Sequence, residues 1–225
     1  QGITLYGADG TAHSATIYFD GAPSTGTGTT AEYLIASDAD TNGGTAQALM
    51  MGTLSFNTKG ELTGMSAYTP ATAGSTDLAD WNAATLSDTG LPQMTANGST
   101  VTLNLGISAT GGWQNTPGNA ASVGTDPTAL ASMGNAYTRA TDATTNYTDS
   151  SPVMRSKSQD GYAAGTLNNI SISADGTVVG KFSNNESMDL WQIPVCRFTS
   201  EDGLRREGNN LFSATEDSGQ MEMGV

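Results

Sequence analysis

The sequence predicts a mainly β fold made of two barrel-like or sandwich-like domains with long polar loops. Apolar residues alternate with polar ones in several short runs, which is the pattern of half-buried strands. Turn signals such as Asp-Gly separate those runs. Leu, Ile, Val and Phe supply only 34 of the 225 residues, so each core must be thin.

The strand-like runs follow one another along the first half of the chain. Residues 3–19 read as a strand, an Asp-Gly turn and a second strand. Another strand is predicted at 32–37, a strand and hairpin at 52–65, and a strand with alternating Val and Leu at 99–106. Runs of this length and spacing favour an antiparallel barrel or sandwich.

Two segments depart from this pattern. The best helix candidate is 73–86, where Thr76 or Asp77 is placed to cap the first turn and Trp81 to face inward. Between 107 and 152 the chain is rich in Gly, Thr, Asn and Ala, and the alternation fails. A structureless stretch of that length is unusual in a compact domain, so we predict an inserted lobe or a long surface excursion there.

The most regular pattern of the chain, at 170–182, predicts a hairpin for which two registers compete. A two-residue turn at 175–176 would mix apolar and polar side chains on one face. A three-residue loop at 174–176, with its glycine left-handed, sets Ile172 opposite Val178. The second register is favoured because it gives one apolar face.

Charge and composition exclude several classes of function. The net charge is −14, from 22 acidic and 8 basic residues, so neither nucleic acid nor an anionic membrane is expected as a partner. No apolar run approaches the roughly 20 residues of a membrane helix. The start of the chain has no signal-peptide pattern and lies inside a strand-like run, so we expect an excised fragment. Cys196 is the single cysteine, which excludes an internal disulfide.

The residues that could carry chemistry have simpler structural explanations. Residues 38–43 match the first half of a calcium loop, but Leu49 occupies the position of its bidentate glutamate. His13, the only histidine, lies in a strand pattern and is expected on a strand surface. Asp175 and Asp202 adjoin glycines, as turn residues do. The sequence therefore predicts no enzyme, no cofactor, and no catalytic, cofactor-binding or metal-ligating residue.

The second half of the chain carries an ordered series of turn and strand motifs. A Gly-Tyr-x-x-Gly stretch precedes the Asp-Gly hairpin and a Ser-Asn turn; a Gln-Ile strand, a Gly-Leu turn and a Gly-Asn-Asn segment leading to Ala-Thr follow. Over about 60 residues this series closely resembles the C-terminal half of the bacterial flagellar hook proteins. Residues 5–19 and 54–64 also resemble hairpins of the family's outer domain. The matching residues of the second half are Gly161, Tyr162, Gly165, Asp175, Gly176, Ser183, Asn184, Gln192, Ile193, Phe198, Gly203, Leu204, Gly208, Asn209, Asn210, Ala214 and Thr215.

The resemblance implies two β domains of a longer subunit. Residues 1–156 would form the outer domain, with an inserted lobe or long loops at 66–152, and residues 157–225 the C-terminal part of the inner domain. The terminal helical segments that line the tube would be missing. The family's structural turns would fall at Gly161, Tyr162, Gly165, Asp175, Gly176, Gly203, Leu204, Gly208, Asn209 and Asn210.

The resemblance also implies a mechanical function. Hook subunits polymerise into a flexible, curved helical tube that joins the rod to the filament and transmits motor torque in motility. The implied partners are further copies of the subunit and the other axial proteins, namely rod, hook cap and hook–filament junction. The implied location is the extracellular flagellum, reached through the flagellar secretion apparatus without a cleavable signal peptide. Residues 1–225 alone are expected to be monomeric.

Two alternatives and two departures from the family pattern accompany this interpretation. The chain could belong to a related axial protein such as the distal rod protein, or be a surface adhesin or carbohydrate-binding β module. Cys196 stands where the family has a small residue such as Ala, and no cross-link is carried over to it. Pro194 interrupts the predicted strand, which suits an edge position or a bulge.

Overall fold

Strands account for most of the regular structure in this chain. Within the described residues there are eighteen β-strands and two short 3-10 helices, Leu78–Asp80 and Ala120–Ser122. The prediction of a mainly β fold is confirmed. The computed structural model describes residues 2–22, 28–38, 45–115, 119–126, 129–146 and 156–224.

The chain divides into two compact units. Unit 1 is Gln1–Tyr162 and unit 2 is Ala163–Val225. The domain limits expected from the sequence, 1–156 and 157–225, stay a prediction.

An antiparallel sheet forms the framework of unit 1. Its strands are β1 (Gly2–Tyr6), β2 (Ala12–Ala22), β3 (Thr29–Ser37), β4 (Gln47–Phe56), β5 (Leu62–Met65), β6 (Tyr68–Pro70) and β7 (Trp81–Ala83). They lie in the order β1-β2-β3-β4-β6-β7, and β5 also pairs with β4. The strands expected in 3–19, 32–37 and 52–65 are therefore confirmed. They form because alternating side chains give each strand one apolar face for the core.

The main core of unit 1 lies on one face of this sheet. Ile35, Met50, Leu54 and Leu62 are buried there. A hairpin of β8 (Gln93–Ala96) and β9 (Ser99–Thr102) adds buried Met94 and Ala96, so the strand expected at 99–106 is shorter than predicted. The two-residue strands β10 (Ile107–Ser108) and β11 (Thr138–Arg139) pair with each other, and Ile107 joins the same core.

A second, smaller core uses residues from the stretch at 107–152. The hydroxyl of Tyr68 accepts a hydrogen bond from the backbone N–H of Ala131 at 2.7 Å. The indole of Trp113 donates to the carbonyl of Ala84 at 2.9 Å. The described part of this stretch is therefore packed onto the rest of unit 1. The inserted lobe or long surface excursion expected at 107–152 stays a prediction. The buried members of this core are Tyr68, Trp81, Ala120, Val123, Leu130 and Ala131.

The prediction of a helix at 73–86 is wrong. The Asp77 side chain does cap a helical turn, since it accepts the N–H of Ala79 at 3.0 Å, but this turn is only the 3-10 helix Leu78–Asp80. Trp81 then enters β7, lies opposite Pro70 and is 1% exposed. Burial of the large indole in a paired strand overrides the weak local helix signal.

Unit 2 is built from seven short strands in three separate antiparallel sheets. The sheets join β12 with β13 and β14, β15 with β18, and β16 with β17. The strands are β12 (Leu167–Ile172), β13 (Thr177–Phe182), β14 (Ser187–Gln192), β15 (Val195–Arg197), β16 (Arg205–Gly208), β17 (Leu211–Ser213) and β18 (Glu222–Gly224).

The hairpin register favoured from the sequence is confirmed. Ile172 lies opposite Val178, and Gly176 is left-handed with a φ of 83°. A bulge between Leu167 and Asn169 shifts the register further along. Pro194 lies between β14 and β15, so it separates two strands instead of interrupting one.

Unit 2 has almost no buried interior. Among its described residues only Gly180 and Ser218 are buried. Eleven of its large apolar side chains are 47% to 71% exposed, which is unusual for a soluble domain of ordinary packing. These residues are Leu167, Ile170, Ile172, Met188, Trp191, Ile193, Val195, Leu211, Phe212, Met221 and Met223.

Candidate functional site

The Asp-Gly turn of unit 2 is held by its own backbone and by the strand that follows. The N–H of Gly176 donates to the Ser173 carbonyl at 3.0 Å. The Asp175 carboxylate accepts the N–H of Thr177 at 3.1 Å, and this hydrogen bond lowers the pKa of Asp175. The Gly176 carbonyl accepts the N–H of Ile193 at 2.9 Å, and a methyl group on Gly176 would lie 2.8 Å from the Ile193 oxygen. Both the φ angle and this close approach therefore require glycine.

Replacement of this glycine should loosen the hairpin. Gly176→Ala carries the left-handed backbone cost and a contact with Ile193, together about 2 kcal/mol. We expect amide hydrogens of β12 and β13 to exchange about 30-fold faster, the equivalent of that free energy. Gly208→Ala is the matched control, because Gly208 also has a positive φ but no atom within 4 Å of an added methyl. Each substitution is compared by the amide exchange of its own hairpin, β12–β13 for Gly176→Ala and β16–β17 for Gly208→Ala. An equal acceleration of exchange in the two hairpins would contradict the role given to the Ile193 contact.

The turn after β13 holds the segment that enters β12. The Asn184 side chain donates to the Ala163 carbonyl at 2.7 Å. The Ser183 hydroxyl accepts the N–H of Thr166 at 3.0 Å. Gly165 lies directly against Asn184, since an added methyl would be 2.7 Å from the Asn184 Cγ. This turn is therefore joined to the segment 163–166 through side chains of the resemblance pattern.

The loop that leads to β18 folds around two hydroxyl groups. The Thr215 hydroxyl donates to the Gly203 carbonyl at 2.6 Å, and the Ser218 hydroxyl donates to the Thr215 carbonyl at 2.9 Å. The N–H of Leu204 donates to the Glu201 carbonyl at 3.2 Å, which closes the Gly-Leu turn. Sequence reasoning missed the buried Ser218, although a hydroxyl three residues after Thr215 is a signal of a local side-chain turn.

The β16–β17 turn has an unusual backbone. Asn tolerates the left-handed region better than other residues with a side chain, which explains the asparagines beside the glycine. Beside the turn, the Glu207 carboxylate accepts hydrogen bonds from Ser213 at 2.7 Å and from Arg205 Nε at 2.8 Å, and these lower its pKa. Both charged groups are well exposed, so the ion pair adds little stability. The turn residues with positive φ are Gly208 at 90°, Asn209 at 50° and Asn210 at 62°.

Gly161 and Tyr162 lie in unit 1, apart from the other predicted turn residues. A methyl group on Gly161 would lie 3.2 Å from the Tyr6 ring, so this segment approaches β1 closely. The Lys157 side chain donates to the Gly2 carbonyl in the same region. Tyr162 is 50% exposed.

The described residues contain no group of three or more His, Cys, Asp or Glu residues placed to hold a metal ion. His13 lies on β2 opposite Leu5 and is half-buried, as a strand residue should be. Of the calcium-like stretch 38–43 only Asp38 is described, and the rest lies outside the described residues. A cavity of about 650 Å³ in unit 1 is bordered by Asp38 and His13 and otherwise mainly by hydroxyl and amide side chains.

The part of the chain that the structure describes holds no helix of the length and apolarity needed to cross a membrane.

The residues of unit 1 match the model of a known protein family. A family model described as the flagellar basal body protein FlaE D2 domain matches residues 1–162. This chain belongs to the FlaE D2 domain family. The resemblance to flagellar hook proteins is thereby confirmed.

Relatives of this FlaE D2 domain protein include both a hook and a rod protein. The flagellar hook protein FlgE of Escherichia coli strain K12 is 43% identical over 67 residues, which cover 30% of this chain and 17% of that protein. The flagellar basal-body rod protein FlgG of Borreliella burgdorferi is 42% identical over 59 residues, which cover 26% of this chain and 22% of that protein. The chain therefore spans less than a quarter of each relative.

A solved structure also aligns with the FlaE D2 domain protein. The Helicobacter pylori flagellar hook protein FlgE2 is 14% identical, with a TM-score of 0.40. The alignment covers 98% of this chain and 38% of that chain.

Proposed function

We propose that this chain is part of a structural subunit of the flagellar hook, the flexible curved tube that passes motor torque from rod to filament. The observation that carries the proposal is the FlaE D2 domain match over residues 1–162 in a chain whose relatives include flagellar hook proteins. The function is mechanical, and no enzymatic step belongs to it. Copies of the subunit are the main partners, followed by rod, hook cap and hook–filament junction proteins.

The turns of unit 2 support a structural role. In the proposal, Gly165, Gly176 and Gly203 hold the chain in close contacts that a side chain would break. The hydrogen bonds of Asn184 and Thr215 fix segments distant in sequence. A subunit that transmits force needs such a rigid shape, and none of these residues needs to react with a substrate.

The exposed apolar residues of unit 2 support its place in a larger inner domain. Trp191 is 68% exposed and Leu211 is 64% exposed, far more than such side chains show in a finished core. We propose that polypeptide outside residues 1–225 completes this domain in the intact subunit. Residues 1–225 alone stay monomeric in this proposal, since a net charge of −14 opposes self-association.

The proposed location is the extracellular flagellum, after export by the flagellar secretion apparatus without a cleavable signal peptide. A distal rod protein is the second candidate, favoured by the 42% identity to FlgG over 59 residues. The match to FlaE D2 favours the hook over this candidate, because it covers the whole of unit 1. No observation favours an adhesin or a carbohydrate-binding module.

Deletion of the gene in its source bacterium tests the proposal. We expect cells without the gene to lose spreading motility in soft agar, and the intact gene to restore it. A gene that lacks the codons for residues 2–162 should fail to restore it, because unit 1 would be missing. Normal spreading of the deletion strain would contradict a role in the hook.

A further inference from the structure

The outer edge of β1 in unit 1 carries backbone groups that no neighbouring strand uses. β1 lies at one end of the strand order of the main sheet. The N–H of Gly7 donates to the Thr11 carbonyl, so odd-numbered residues here direct their backbone groups to β2, and the register keeps this alternation along β1. Gly2, Thr4 and Tyr6 therefore direct theirs away from β2. Among the described residues, no strand pairs with this outer side.

A segment distant in sequence runs beside this edge. The Lys157 side chain donates to the Gly2 carbonyl, which is one of the outward groups. Farther along, a methyl group on Gly161 would lie 3.2 Å from the Tyr6 ring and 3.3 Å from the Tyr6 Cβ. The two contacts are equally spaced in both segments, so residues 157–161 follow β1 in the same direction. We call residues 157–161 the strap.

The contact with the strap reduces the exposure of Tyr6. The even-numbered residues of β1 and β2 share the face opposite the main core, since the odd-numbered Leu5 and Ala15 are buried. Tyr18 on this face is 55% exposed, whereas Tyr6 is half-buried. Gly161 lies against Tyr6, and any larger residue at this position would press on the ring.

Side-chain contacts alone hold the strap. Within the part of the chain that the structure describes, residues 156–162 make no backbone–backbone hydrogen bond. Every strap residue is exposed. Natural proteins protect the edges of sheets with lysine or with a covering loop, and the strap supplies both. A segment with so few buried contacts opens at a low free-energy cost, far below that of a paired strand.

Release of the strap would change the link between the two units. Unit 1 ends at Tyr162, and the carbonyl of Ala163, the first residue of unit 2, accepts the Asn184 side chain. With the strap docked, Tyr162 alone lies between the last contact in unit 1, at Gly161, and the first in unit 2. Release would lengthen this link by the five strap residues, or about 17 Å of extended chain.

We infer that residues 157–161 form a releasable strap, which covers the outer edge of β1 when docked and lengthens the link between the two units when released. The mechanical use of this device rests on the proposed function. In a hook subunit under load, the strap would be released before either unit unfolds, because its side-chain contacts are weaker than the paired strands.

Nuclear magnetic resonance relaxation of residues 1–225 tests this inference. The order parameters of the amides of residues 158–161 should be about 0.8 in the unchanged chain. Tyr6→Ala removes the ring beside Gly161, and Lys157→Met removes the ammonium donor but keeps an apolar stem. In each variant these order parameters should fall below about 0.6. Tyr18→Ala is the matched control, because it removes a tyrosine from the same face without a strap contact, and it should leave them unchanged.

The outcomes separate clearly. Loss of order in one contact variant alone would support the strap and assign its hold to that contact. Order parameters already below about 0.6 in the unchanged chain, or order retained in both contact variants, would overturn the inference. An equal loss in Tyr18→Ala would overturn it as well. Lys157 is exposed, so Lys157→Met leaves the fold intact and keeps the test decisive. Because the test uses residues 1–225 alone, its failure would leave the assignment to the hook in place.

Discussion

Gly52→Ala should strongly destabilise unit 1, because the core has no space for one methyl group at this position. Gly52 lies on β4 opposite Tyr33. The added carbon would lie 2.0 Å from the Ser66 carbonyl oxygen and 3.1 Å from the Tyr33 ring. The same oxygen accepts the Tyr33 hydroxyl at 3.0 Å, so relief of the clash would also break a buried hydrogen bond. Overpacking and an unsatisfied buried hydroxyl together should cost about 3 kcal/mol.

Calorimetry provides the measurement. For a unit of this size, a loss of about 3 kcal/mol lowers the melting temperature by about 6 to 12 °C. Gly64→Ala is the matched control on β5, since its methyl would only touch the Ser55 Cβ at 3.9 Å. It should change stability by less than about 0.5 kcal/mol. Similar melting temperatures for both variants would mean that β4 and the Ser66 segment are not packed as described.

Trp81→Ala should destabilise unit 1 to a similar or larger extent, by about 3 to 5 kcal/mol. Trp81 is 1% exposed and fills the smaller core beside Tyr68. Its indole N–H donates to the Ser75 carbonyl at 3.1 Å. Alanine would remove this donor and leave a cavity beside the Ser75 carbonyl. Because residues around Ala120 and Leu130 share this core, the packing of the stretch after β10 should loosen as well.

Urea unfolding measures this effect, with Trp191→Ala as control. Trp191 is 68% exposed, so its removal leaves no cavity and should cost less than about 0.5 kcal/mol. Amide exchange of Val123 and Ala131 should increase in the Trp81 variant alone. If the Trp81 variant unfolds at the same urea concentration as the control, the second core is not a stabilising element.

The strands and turns of this chain could be predicted because their signals are local. The three-residue loop at 174–176 follows from a glycine in the right place and from the alternation of Ile172 with its neighbours. The sequence predicts Asp77 as a possible cap for the same reason, and Asp77 caps the 3-10 helix. Each of these features depends on residues within a few positions of one another.

Features that depend on distant residues could not be predicted. Trp81 enters a strand because β6 offers it a partner, and the residues between them contain helix signals. Gly52 is required by Ser66 and Tyr33, which no local pattern reveals. Among the proposed structural turns, the requirement for glycine at Gly165 and Gly203 comes from close approach of the facing segments near Asn184 and Ser218, which the local sequence does not reveal.

Electron microscopy of flagellar basal bodies from the deletion strain tests the central claim most directly. If this chain is part of the hook subunit, complete rods should end without a hook, and antibodies against unit 1 should label the hooks of the parent strain along their length. Hooks of normal length in the deletion strain, or truncated rods beside antibody label confined to the rod, would contradict the assignment to the hook.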